Sequence, residues 1–213
     1  MFKLDFFLRI YLSLLEDYGT EIVRFIPIHD KILSEGVAGL YVGGGFPEFF
    51  LEGLEANLSM KESILSAVND GLPAFAECAG LMYFSNSITD FDGKNYSMVG
   101  ALNGKTVMTN KTLVTYSYAE ATFDNVLCSK GLKIKGHEFH NSFIVDLPSD
   151  SKFAFNMLMG EGILNKKDGL VKNNMLASYM HIHFAQNKKI VKNFLNYCKR
   201  YSKRLKSTAT KAS

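Results

Sequence analysis

The chain has 213 residues, a net charge of +3, and 47% hydrophobic against 21% charged residues. That is room for one large folded unit of ordinary composition, and no run of about 18 apolar residues offers a membrane span. The excess charge gathers in Lys199-Arg200-Tyr201-Ser202-Lys203-Arg204-Leu205-Lys206 rather than across a domain, which argues against a nucleic-acid surface.

The apolar start, residues 1–15, is interrupted by Asp5 and Arg9 and precedes no small-residue cleavage site, so no signal peptide is expected. Residues 6–18 predict a helix stopped by Gly19, and residues 21–25 a short strand. Residues 39–42 predict a buried strand running into Gly43-Gly44-Gly45. Residues 49–70 carry apolar side chains at helical spacing, with Gly71 as the stop. A second short strand over 73–76 leads directly into a helix that begins at Cys78. Strand followed by helix, repeated, predicts an α/β fold with a mostly parallel sheet flanked by helices. Between residues 98 and 145 the pattern turns β-rich. Residues 175–183 predict a last strand and 188–203 a closing helix with Ile190, Val191, Phe194 and Leu195 inward. One domain over residues 1–198 is expected, followed by a basic, disordered tail over 199–213.

Four local patterns carry chemistry. In Glu77-Cys78-Ala79-Gly80 a cysteine stands between a strand and a helix, where a sharp turn lifts a nucleophile out of the sheet and a helix start favours the thiolate. In Gly43-Gly44-Gly45-Phe46-Pro47-Glu48 the glycines let main-chain N–H groups face a developing negative charge. The pattern lacks the Lys-Ser/Thr of a P-loop, so nucleotide binding is not expected there. In Ser178-Tyr179-Met180-His181-Ile182-His183-Phe184 alternation places His181 and His183 on one strand face, and either can serve Cys78 as base. No matching cysteine or carboxylate set accompanies them, so no metal is expected. In Gly136-His137-Glu138-Phe139-His140 the same alternation pairs Glu138 with His140. The three cysteines, Cys78, Cys128 and Cys198, are odd in number and widely spaced, which argues against a disulfide framework and for a reducing, cytoplasmic setting.

Taken together, these stretches resemble, in order and spacing over roughly residues 12–197, the class I glutamine amidotransferase domain of cobyrinic acid a,c-diamide synthases and cobyric acid synthases. The resemblance implies a flavodoxin-like fold with Cys78 as nucleophile and His181 as its base. It implies oxyanion donors at Gly45 and Ala79, with Gly44 beside them. It implies glutamine as substrate and an ATP-binding synthetase half, with ATP and Mg, as partner. Ammonia would amidate carboxylates of a corrin-type tetrapyrrole held by that partner.

The chain departs from the family in three places. Many class I amidotransferases have a glutamate two residues after the base, where this chain has His183, so a Cys-His pair or another orienter such as Glu138 is expected; His140 and His183 remain candidate substrate contacts. Ala79 stands where the family usually has glycine. The ATP-binding half and the domain's first strand are absent from the match, which predicts a fragment, a split subunit or a decayed copy. The alternative reading is accordingly a non-catalytic module that binds a synthetase.

Overall fold

The computed structural model describes residues 12–212, with side chains through residue 207. Residues 12–17 are helical (α1) and end at Gly19, whose φ of 78° makes the turn. The part of the expected first helix before residue 12 lies outside the described residues.

A mixed sheet organises the rest. Its first strands are β1 (Leu40–Val42), β2 (Ala74–Glu77), β3 (Ser87–Thr89) and β4 (Asn95–Ser97). Then come β5 (Lys105–Ala121), β6 (Lys133–Val145), β7 (Phe153–Met159), β8 (Lys167–Lys172), β9 (Met175–Ser178) and β10 (His181–Ile182). The strand order is β1-β2-β9-β8-β7-β5-β3-β4, with β6 on β5 and β10 on β6. Among the described residues, parallel pairing is confined to β1/β2, β2/β9 and β3/β5. The sheet is therefore less parallel than the strand–helix alternation predicts, because the β-rich middle folds back on itself without crossover helices. Residues 21–25, expected as a strand, join no ladder among the described residues.

The helices are α2 (Leu51–Ala56), α3 (Leu58–Asn69), α4 (Ala79–Phe84) and α5 (Lys188–Ala212). The single helix expected over 49–70 is two. Asn57 breaks it and caps the second, its Oδ1 accepting the Met60 N–H while its amide donates to the Pro27 and Asp30 carbonyls.

Alternation along the central strands splits the core into two layers. Ala74 and Ala76 of β2 and Met175 and Ala177 of β9 face one layer with Ile64, Val68 and Leu81. Phe75 and Leu176 face the other, under Leu15 and the inward residues Ile190, Val191, Phe194 and Leu195 of α5. Each large aliphatic or aromatic side chain buried there contributes roughly 1.5–3 kcal/mol.

The tail expected to be disordered is instead helical through Ala212. Tyr201 packs into the first layer and donates its hydroxyl to Asp70 Oδ2 at 2.8 Å, and Arg204 pairs with the same carboxylate at 2.7 Å. The lysine-rich pattern hides an amphipathic face: Tyr201 lies a helical repeat beyond Phe194 and Cys198, on the buried side.

Candidate active site

The parallel strands β2 and β9 end side by side, with Glu77 in register with Ser178. The next residue, Cys78, turns sharply. Its φ is 51° and its ψ −100°, its N–H donates to Ser178 O at 2.8 Å, and its carbonyl accepts Met82 N–H at 3.0 Å as the first bond of α4. A non-glycine residue held there stores on the order of 1–3 kcal/mol of strain, which is characteristic of a nucleophile lifted out of a sheet. Gly80 permits the turn, since a β-carbon there would collide with the Val42 carbonyl. The Cys78 side chain is buried, with Sγ 3.6 Å from Phe139 O.

The structure brings His181 to this cysteine. β10 pairs antiparallel with β6, placing His181 opposite His137. Nδ1 of His181 lies 3.1 Å from Glu77 Oε1, so this nitrogen carries the proton and donates to the carboxylate. The same carboxylate accepts the Ile182 N–H at 3.0 Å and the Tyr41 hydroxyl at 3.3 Å. Glu77 is almost wholly buried, and these three donors satisfy its oxygens. The remaining imidazole nitrogen, Nε2, is buried and makes no hydrogen bond of ordinary geometry. Burial by itself would lower the His181 pKa. The attraction of Cys78 and Glu77 outweighs it and pushes the value up to about 10.

The glycine turn closes the site. A β-carbon on Gly44 would lie 2.5 Å from His181 Cε1, so the main chain abuts the imidazole. A β-carbon on Gly45 would lie 3.8 Å from the Ala79 side chain, so these two residues face each other.

Three expected residues take other places. Glu138 does not orient His181. Because β6 turns His137 toward His181, its neighbour Glu138 points to the opposite face, where its carboxylate accepts the N–H groups of Glu161 and Gly162. His140 donates Nδ1–H to Ser142 O at 2.9 Å, and its ring stacks on Tyr179 at 3.8 Å. His183 leaves the strand, and its Nδ1 accepts the Ala185 N–H. The carboxylate partner of His181 that sequence reasoning misses is Glu77. It lies within the cysteine pattern, but only the register of β2 against β9 carries it to a histidine 104 positions away. His137 is the other missed neighbour, its ring parallel to that of His181.

Residues 3–189 match the CobB/CobQ-like glutamine amidotransferase domain. The chain is 40% identical over 200 residues to the cobyrinate a,c-diamide synthase of Dehalococcoides mccartyi (strain ATCC BAA-2266 / KCTC 15142 / 195), covering 92% of this chain and 42% of that protein. It is 43% identical over 203 residues to the enzyme of that name from Caldanaerobacter subterraneus subsp. tengcongensis, covering 94% and 44%. The chain thus spans less than half the length of these relatives. Among solved structures, a glutamine amidotransferase superposes with a TM-score of 0.63 at 17% identity, covering 90% of this chain and 93% of that one. PurLQS from Thermotoga maritima superposes with a TM-score of 0.64 at 16% identity, covering 89% and 92%. The fold is that of the class I glutamine amidotransferases, and this chain belongs to the CobB/CobQ-like glutamine amidotransferase domain family.

Proposed function

We propose that this chain is the glutaminase part of an ATP-dependent ligase that amidates carboxylates of a corrin-type tetrapyrrole. The observation that carries the hydrolytic reading is the Glu77–His181 contact beside a cysteine held at positive φ. With its pKa raised to about 10, His181 holds the Cys78 proton at Nε2, and the thiolate attacks the side-chain amide carbonyl of glutamine. The N–H groups of Gly45 and Ala79 stabilise the oxyanion. Collapse expels ammonia, which leaves with the proton returned by His181, and forms a glutamyl thioester. Water, deprotonated by the same histidine, releases glutamate and restores the thiolate–imidazolium pair. Glu77 holds the Nδ1–H of His181 throughout and balances the imidazolium before attack and after hydrolysis.

The acceptor chemistry rests on the relatives' name, cobyrinate a,c-diamide synthase, and on the length of those relatives that this chain does not span. ATP and Mg belong to that synthetase half, the partner that activates the acceptor carboxylate. The free cysteines suit a cytoplasmic setting.

The test is glutamate release by the chain, and by Cys78→Ala, with and without a synthetase chain. Release that requires Cys78 supports the reading. No release in either condition from a folded chain overturns it in favour of an inert binding module.

A further inference from the structure

We propose that His137 is a positioning residue for the reaction: its ring lies flat on the His181 imidazole, fixes the ring plane that aims Nε2 at Cys78, and screens the outer side of the base from water. This rests on the glutaminase reading above.

The two rings are parallel to within 6°, with centroids 4.6 Å apart. The arrangement follows from the fold, since His137 and His181 are cross-strand partners of β6 and β10 on one face of the ladder. Glu77 fixes only one edge of the His181 ring, at Nδ1, and Gly44 abuts it at Cε1. Neither contact stops the imidazole from rolling about the Nδ1···Oε1 axis. A flat ring laid against its face does, because rolling would drive the two π surfaces together.

β10 is only two residues long and is followed by a 3-10 turn at Phe184–Gln186, so the backbone there offers little rigidity of its own. His137 brings it from the 13-residue strand β6.

A histidine suits this place for an electrostatic reason as well. The groups around it are His181, His183, the Glu77 carboxylate, Tyr116 opposite it on β5, and Lys135 two positions along its own strand. Partial burial lowers the His137 pKa, and the neighbouring His181 lowers it further, against the opposing effect of Glu77. A neutral imidazole therefore lies over the imidazolium, where a second cation would repel it and weaken the proton transfer.

The experiment compares His137→Ala and His137→Phe in the full chain. Alkylation of Cys78 by iodoacetamide is followed by peptide mapping from pH 5 to 10, alongside glutaminase kcat and KM. His137 is exposed, so both variants are expected to fold. His137→Ala should slow Cys78 alkylation and kcat roughly 10- to 100-fold with KM unchanged, as a base misplaced by a fraction of an ångström does. His137→Phe, which keeps a flat ring, should recover most of both rates. A fast wild-type Cys78 that is indifferent to His137→Ala overturns this inference alone. So does a His137→Phe protein as slow as His137→Ala, since the imidazole would then act chemically. A wild-type Cys78 no faster than Cys128 or Cys198 sinks the glutaminase reading and this inference with it.

Discussion

Glu77 and His181 stand 104 residues apart in the chain, yet the carboxylate that precedes Cys78 is the one that holds this imidazole, at 3.1 Å. The position two residues after His181, where many class I amidotransferases keep that carboxylate, is His183, and its ring serves a local turn instead. In this chain the carboxylate beside the His181 imidazole comes from the end of β2.

Glu77→Gln should therefore be severe. The amide can still accept the Ile182 N–H, but it cannot balance an imidazolium. Loss of glutaminase kcat by roughly 10²- to 10⁴-fold is expected. The measurement is steady-state glutamate release, with circular dichroism to confirm folding. A variant within about threefold of wild type would remove Glu77 from the mechanism.

Gly44→Ala and Gly45→Ala should differ, although they are neighbours of the same type. The added methyl at Gly44 meets His181 Cε1 at 2.5 Å and displaces the base, whereas at Gly45 it meets only the Ala79 side chain at 3.8 Å. Gly44→Ala should lose about 100-fold in kcat, and Gly45→Ala less than about tenfold, since its N–H is kept. Parallel kinetics of the two variants test the ordering.

His181 also gives the fold a pH signature. Its pKa is raised from 6.5 to about 10 on folding, so between these values the folded chain binds more proton than the unfolded one. Its contribution to stability is complete below about pH 6.5 and is lost as pH rises through about 10. Urea midpoints should fall across that window in wild type. In His181→Gln the fall should be visibly shallower.

Asp168 should act in a lower window. Fully buried, its carboxyl is pushed up to about 7 by desolvation, against the N–H groups of Met180, Gly169 and Tyr179 that favour the anion. The folded state again holds the extra proton, so this group's contribution is greatest below about pH 4 and declines up to about pH 7. Asp168→Asn should flatten the stability profile between those values. Chemical denaturation at about pH 4.5 and about pH 7.5 is the check.

Tyr201→Phe isolates one of the bonds that tie the C-terminal helix to Asp70, beside the Arg204 pair. The ring stays packed and only the hydroxyl is lost, so about 1 kcal/mol of destabilisation is expected with glutaminase activity intact. Equilibrium urea unfolding reads it directly.

How much of this is legible in the sequence depends on distance along the chain. Cys78, Ala79, Gly44 and Gly45 are readable because a strand-to-helix turn announces itself within a few residues. The partner of His181 is not, because it is set by the parallel register of β2 and β9 rather than by any local spacing. Glu138 misleads for the same reason: alternation correctly puts it with His140, but which face of β6 looks toward β10 is decided only by pairing. Strands β7 and β8 escape reading because exposed Asn156, Leu158 and Lys167 and a glycine at Gly169 blur their alternation. The helix beyond Lys199 is obscured by its lysines, although Tyr201 and Leu205 mark its apolar side.

The backbone at Cys78 has a consequence for descent. With φ at 51°, this position would suit glycine better than any residue with a side chain. The cysteine is kept there against the preference of the main chain, and Cys78→Gly would relieve the strain by up to roughly 1–3 kcal/mol. A gene copy freed from the need to hydrolyse glutamine would gain stability by that one exchange. Glycine at this site in a sister gene is thus the mark of a lineage that gave up the chemistry and kept the fold.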